Sequence, residues 1–158
     1  MKKPCVWHTR LAWMACIVWL LWLTACASGP KPTVIQTDLR VQANINPDMR
    51  GRPSPVVVRF YELKSLTAFN NADFFALFER DRETLGTELV AVDELQLMPN
   101  ETRQFKRTLQ PDTQYIGVVA AFRDLEHSEW RASTTVAPHK VSPLIIQLEA
   151  NQISIAAP

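Results

Sequence analysis

The sequence predicts an all-β chain, a two-layer β-sandwich with a short helical insertion. Three observations point there. Seven or eight short segments rich in β-branched and aromatic residues recur at regular spacing, with Pro, Gly, Asn and Asp marking turns between most of them. A single stretch, around Phe74–Phe78, changes to the helical period. One strand, Gln114–Phe122, is apolar on both faces, as a strand covered on both sides of its sheet must be.

The first strand is read from Leu39, Val41, Ala43 and Ile45, which alternate with Arg40, Gln42 and Asn44 and so give one face to a core. Pro47, Gly51, Pro53 and Pro55 break the alternation and predict a loop over Asn46–Pro55. Val56–Leu63 is a second strand. Phe74, Leu77 and Phe78 share a helical face, predicting a short helix over Ala72–Arg80 that could extend to Leu85. Asn71 is its candidate N-cap, Asp73 lies in its first turn, and Gly86 is a natural stop. The aromatic face reads as core packing in preference to a ligand box.

Strands then return at Glu88–Leu97 and Thr102–Leu109, with turns at Pro99-Asn100 and Pro111-Asp112. In Gln114–Phe122, Ile116, Val118, Ala120 and Phe122 oppose Gly117, Val119 and Ala121, which predicts a central strand. Glu129–Val136, Leu144–Ala150 and a short piece around Ile153 complete the set.

Ahead of this body, residues 1–25 have the three parts of an export signal. Lys2, Lys3 and Arg10 precede an uncharged apolar run from Leu11 to Leu23, and Leu23-Thr24-Ala25 leads to Cys26. The run is too short for a spanning helix, which needs about 20 apolar residues. Leu-Thr-Ala-Cys resembles the bacterial lipobox, implying cleavage between Ala25 and Cys26 and acylation of the Cys26 thiol. At about 0.8 kcal/mol per buried methylene, two or three acyl chains hold a protein on a bilayer where one does so only marginally. Residues 26–33 then form the lipidated cysteine and a tether, small and proline-bearing, and residues 34–158 the sandwich. The lack of Asp after the cysteine favours the outer membrane, by resemblance to lipoprotein sorting.

Composition narrows the function. Residues 1–25 contain three basic residues and no acid, so their removal takes the formal charge from +1 to −2. A weakly acidic body with no basic run is a poor match for nucleic acid. Cys26 would be its single cysteine, which rules out an internal disulfide or a thiolate zinc site. His127 and His139 lack further ligands, and Glu126–Glu129 reads as a polar turn. No Gly-x-Ser-x-Gly and no phosphate-cradling glycine loop occurs. We therefore expect no catalytic residue, no metal and no cofactor. Arg123 and Asp124 read as ties at a strand end, and Trp130 as a plug for the core or its edge.

Two blocks carry a resemblance to a known family. The first is Arg52-Pro53-Ser54-Pro55-Val56-Val57-Val58-Arg59-Phe60-Tyr61-Glu62-Leu63-Lys64-Ser65, followed by Ala72-Asp73-Phe74-Phe75. The second is Ile116-Gly117-Val118-Val119-Ala120-Ala121-Phe122-Arg123-Asp124-Leu125, completed by Trp130-Arg131. Asp93-Glu94-Leu95 and Leu97-Met98-Pro99-Asn100-Glu101 fit a weaker third, with Asn100 where many relatives carry glycine. In order and spacing these resemble the type VI secretion lipoproteins, TssJ or VasD. The resemblance implies a transthyretin-like sandwich within the TssJ–TssL–TssM membrane complex, oligomeric in that assembly. It also implies that the outer membrane is linked to the periplasmic C-terminal domain of the inner-membrane protein TssM.

In that family the loop between the first two strands is the contact element, which maps onto Asn46, Pro47, Asp48, Met49, Arg50, Gly51, Arg52 and Pro53. Met49 offers an adaptable apolar tip, Arg50 and Arg52 could pair with carboxylates, and Pro47 and Pro53 stiffen the loop. From the residues alone, the same stretch also reads as a solvated turn. A different class of function stays open beside this one: a periplasmic transthyretin-like or immunoglobulin-like lipoprotein that binds a small ligand or envelope glycan in a concave aromatic pocket.

Overall fold

The computed structural model describes residues 31–157, and in these the chain forms eight strands in two four-stranded sheets. The strands are β1 (Val34–Val41), β2 (Val56–Leu63), β3 (Leu89–Leu97), β4 (Thr102–Thr108), β5 (Tyr115–Ala120), β6 (Arg131–Thr135), β7 (Val141–Glu149) and β8 (Gln152–Ala156). One sheet has the order β4-β1-β7-β8 and the other β3-β2-β5-β6. Every pairing is antiparallel except β1 with β7. The fold is the expected two-layer sandwich.

Alternation builds the core between the sheets. Ile35, Leu39 and Val41 of β1 and Leu144, Ile146 and Leu148 of β7 face Val56, Val58 and Phe60 of β2 and Ile116, Val118 and Ala120 of β5. The expected central strand is β5, held between β2 and β6 and buried along both faces.

The first strand lies earlier than the alternation suggested, beginning at Val34 and ending at Val41. Gln36 and Asp38 break up its apolar character, and inward-facing Thr37 is buried with its hydroxyl unpartnered, so the strand is held by its neighbours on both sides rather than by its own pattern. Beyond Val41 the chain turns, with Ile45 N donating to Gln42 O at 3.3 Å, and Ile45 closes the end of the core.

The helical insertion is three short helices, not the single one expected: α1 (Thr67–Asn71), α2 (Phe74–Glu79) and α3 (Asp81–Leu85), then a 3-10 turn at Gly86–Glu88. Asp73 caps α2, its Oδ1 accepting from Ala76 N at 2.8 Å, whereas Asn71 ends α1. Phe69, Phe74, Leu77 and Leu85 pack on Tyr61, Leu63 and Val119, so the aromatic face is a second core on the outside of the β3-β2-β5-β6 sheet. Gly117 makes room for it, since a Cβ there would sit 2.7 Å from the Phe69 ring. Polar bonds then fix the insertion. Tyr61 Oη donates to Leu77 O at 2.8 Å, Arg59 Nη1 to Phe78 O at 2.5 Å, and Arg131 Nη1 to Phe69 O and Ala72 O at 2.7 and 3.0 Å.

This up-and-down course gives the sandwich two ends. At one lie the start of β1 and the β2–β3, β4–β5 and β6–β7 connections; at the other lie the β1–β2, β3–β4, β5–β6 and β7–β8 connections. At the first end Val34 N donates to Lys140 O, Leu109 N to Thr33 O and His139 N to Thr33 Oγ1, each at 2.9 Å. The last residues of the expected tether are thus fastened to the sandwich. Strand β1 runs from this end to the other, about 26 Å at 3.3 Å per residue.

Candidate functional site

The β1–β2 connection, with the expected contact residues 46–53, stands at the second end, and Asn46 is its foundation. The residue is 4% exposed and takes a left-handed backbone, φ 49°. An asparagine tolerates that region better than most side chains. Its backbone N donates to Ala150 O at 2.8 Å, its Nδ2 to Pro55 O at 2.8 Å, and its Oδ1 accepts from Arg123 N at 2.8 Å. Asn46 therefore joins three connections of this end and presents no surface to a partner. The expected tie at Arg123 is a backbone one, and it reaches across 77 residues of sequence.

Above that base, Asp48 organises the tip. Its Oδ1 accepts from Arg50 N at 2.8 Å and Arg52 N at 3.0 Å, while Oδ2 takes Arg52 Nε at 2.8 Å and lies 2.8 Å from Arg52 Nη2. The backbone bonds and guanidinium of Arg52 hold the Asp48 carboxyl below its usual range. Gly51 N donates to Asp48 O at 2.8 Å, closing a turn that Gly51 completes at φ 74°, where a Cβ would be strained. Met49 is fully exposed at its apex. Arg50 has no ion pair with another described residue, in contrast to Arg52.

Pro47, Asp48, Met49, Arg50 and Arg52 line an open concavity of ≈ 710 Å³ together with Arg123, Asp124 and Asn151. Five of the eight loop residues expected as a site thus share one surface, Asn46, Gly51 and Pro53 lying outside its lining, and two further connections add to it. Asp124 is bonded to His127 Nδ1 at 2.9 Å. No aromatic side chain is among the described residues that line this concavity, which differs from the aromatic pocket that the glycan-binding reading calls for. Among the described residues no group of three or more His, Cys, Asp or Glu side chains could hold a metal. Ala25 and Cys26 lie outside the described residues.

A model of the type VI secretion lipoproteins (VasD, EvfM, TssJ) matches residues 33–151. The chain belongs to this family. Among solved structures it is similar to the type VI lipoprotein TssJ1 from Pseudomonas aeruginosa, at 42% identity and TM-score 0.78 over 80% of this chain and 97% of that one. It is also similar to a chain of a type VI membrane complex, at 28% identity and TM-score 0.69 over 80% and 99% of the two chains. A third similarity, at 26% identity and TM-score 0.66 over 78% and 98%, is to a chain in a structure described as the TssM C-terminal domain from EAEC. No match was found among curated proteins.

The family's sequence blocks acquire physical meaning in this fold. Arg59, Tyr61, Gly117 and Arg131 are the residues that hold or accommodate the helical insertion. Asn100 has φ 60° in the β3–β4 turn, the backbone region that favours glycine and that asparagine tolerates. Trp130 packs edge-on against Phe74 with ring centroids 5.4 Å apart, and it touches both cores, so it plugs the sandwich edge. Arg123, Asp124 and Asn151 are the site residues that local patterns miss as contacts, because only the folded end brings them beside residues 47–52.

Proposed function

We propose that this chain is the outer-membrane lipoprotein of a type VI secretion complex, a mechanical link and not an enzyme. In this reading the signal is cleaved after Ala25, Cys26 is acylated, and the tip formed by residues 47–53 grips the periplasmic C-terminal domain of TssM. The observation that carries the reading is the opposition of the two ends. The N-terminal segment enters β1 at one end, and β1 delivers the chain to the β1–β2 loop at the other. A load applied to the tip passes along β1, which is hydrogen-bonded on both sides, to the lipid-bearing segment. Rigid loop geometry lowers the entropy lost on docking, which suits a loop whose role is capture. Membership of the family and the similar chain in the TssM structure support the partner.

Fractionation of Cys26→Ser tests the lipid end. The variant should leave the outer membrane and appear in the soluble periplasm, and unchanged sedimentation with outer membrane refutes the anchor. Co-purification of the mature protein with the TssM C-terminal domain tests the other end, and its failure with folded partners would remove the link.

A further inference from the structure

At the tether end the structure carries a surface that the loop contact does not use. The β6–β7 turn, Ala137-Pro138-His139-Lys140, is exposed throughout and runs into Val141, itself 54% exposed. It is stapled to the incoming chain: His139 N donates to Thr33 Oγ1 at 2.9 Å, His139 Nδ1 lies 2.7 Å from Lys31 O, and Val34 N reaches Lys140 O at 2.9 Å. Wherever the N-terminal segment is fixed, this turn is fixed beside it. Lys31 and Lys140 form no ion pair with another described residue. The neighbouring carboxylates are occupied, Asp112 by Lys64 at 2.8 Å and buried Glu62 by Gln110 N and Thr113 Oγ1 at 2.9 and 2.8 Å.

The geometry points to a second membrane contact: the Lys31, Pro138, Lys140 and Val141 tip lies against anionic lipid headgroups and stands the sandwich upright, with residues 47–53 directed away from the bilayer. The inference rests on acylation of Cys26. Only four residues lie between Cys26 and Lys31, so in five extended steps Lys31 can stand no more than about 17 Å from the lipidated residue. Two ammonium groups on long stems, neither in an ion pair with a described residue, beside exposed Pro138 and Val141 are the mixture that suits an interface, with charge at the headgroups and small apolar groups at their base. One acyl-bearing point would leave the body free to tilt; a second contact removes that freedom and presents the opposite end to a partner.

The test uses the mature lipidated protein in vesicles of phosphatidylcholine with one-third phosphatidylglycerol. An environment-sensitive fluorophore is placed by Val141→Cys or, as the distal reference, by Met49→Cys, and is quenched by headgroup-attached nitroxide lipid. We expect several-fold stronger quenching at position 141 than at 49, and loss of most of that difference in Lys31→Glu/Lys140→Glu. Equal quenching at the two positions on protein that floats with the vesicles overturns the proposal. Quenching at 141 that is indifferent to the double charge reversal also overturns it, since nearness then comes from the tether alone. Protein that does not float, and whose Cys26 takes up the fluorophore, overturns the acylation reading together with this one.

Discussion

Arg52 is committed to Asp48. Both its Nε and its Nη2 lie 2.8 Å from Asp48 Oδ2, while Asp48 Oδ1 holds the backbone N–H groups of Arg50 and Arg52. The two arginines that follow Met49 in sequence, one on each side of Gly51, therefore differ in kind. Arg52 shapes the tip, and the Arg50 side chain is available to a carboxylate on a partner.

Reversal of charge at the two positions should separate these roles. Arg50→Glu is expected to weaken capture of the TssM domain about tenfold or more, the scale of losing one charge-assisted contact, with the loop conformation unchanged. Arg52→Glu should disorder the tip itself, because it sets a carboxylate against Asp48. Titration calorimetry read beside loop amide shifts distinguishes the two, and equal effects on both readouts would contradict the division.

Asn46 should matter for binding without touching the partner. Asn46→Ala removes two side-chain bonds and leaves an alanine at φ 49°. We expect a loss of about 2–4 kcal/mol in stability from unsatisfied groups and backbone strain together. Chemical denaturation measures it. Asn46→Gly, which relieves the strain alone, should recover part of the loss.

The Gly117–Phe69 contact makes a sharp steric prediction. In Gly117→Ala the new methyl meets a fully buried ring at 2.7 Å, so the helical insertion must shift, at a cost of about 1–3 kcal/mol. Thermal unfolding should show the drop, and a second change, Phe69→Leu, should be less damaging in this background than in the wild type.

Two groups set opposite pH limits. The Asp48 carboxyl is held low, so its contribution to tip order is full above the ordinary carboxylate range and is lost as pH falls through the depressed value. Protection of the Arg50 and Arg52 amides from exchange, taken relative to the intrinsic rate at each pH, should persist at mildly acidic pH and be lost only in stronger acid. Tyr61 is pushed up to about 12 by burial, so the bond to Leu77 O should persist through pH 10 and fail as pH rises further. Tyrosinate absorbance followed against pH checks this, and a Tyr61 transition near pH 10 would contradict it.

Local chemistry made much of the fold readable. Val56–Leu63 has the boundaries of β2, and the two-sided apolar character of Gln114–Phe122 marked β5 as internal. Those are properties of consecutive residues, and period and β-branching report them directly. The start of β1 was hidden because Gln36, Thr37 and Asp38 are polar in a strand that two neighbours stabilise. Likewise α1 is too short for a periodic signal, and it holds its place through Phe69 against Gly117 and through the Arg131 side chain.

By itself, the amino-acid order determined the strand succession, the proline-stiffened loop, the family blocks and the lipobox-like run ending at Cys26. Tertiary structure alone decided which loop residues are foundation and which are surface. Asn46 became an anchor by meeting Arg123 and Pro55, Arg52 lost its freedom to Asp48, and Arg123, Asp124 and Asn151 joined the tip. It also set the chain's entry into β1 and the β1–β2 loop at opposite ends. The physical reason is range: side-chain periodicity acts over a few residues, whereas burial and hydrogen bonding at a site depend on what the closed chain brings alongside.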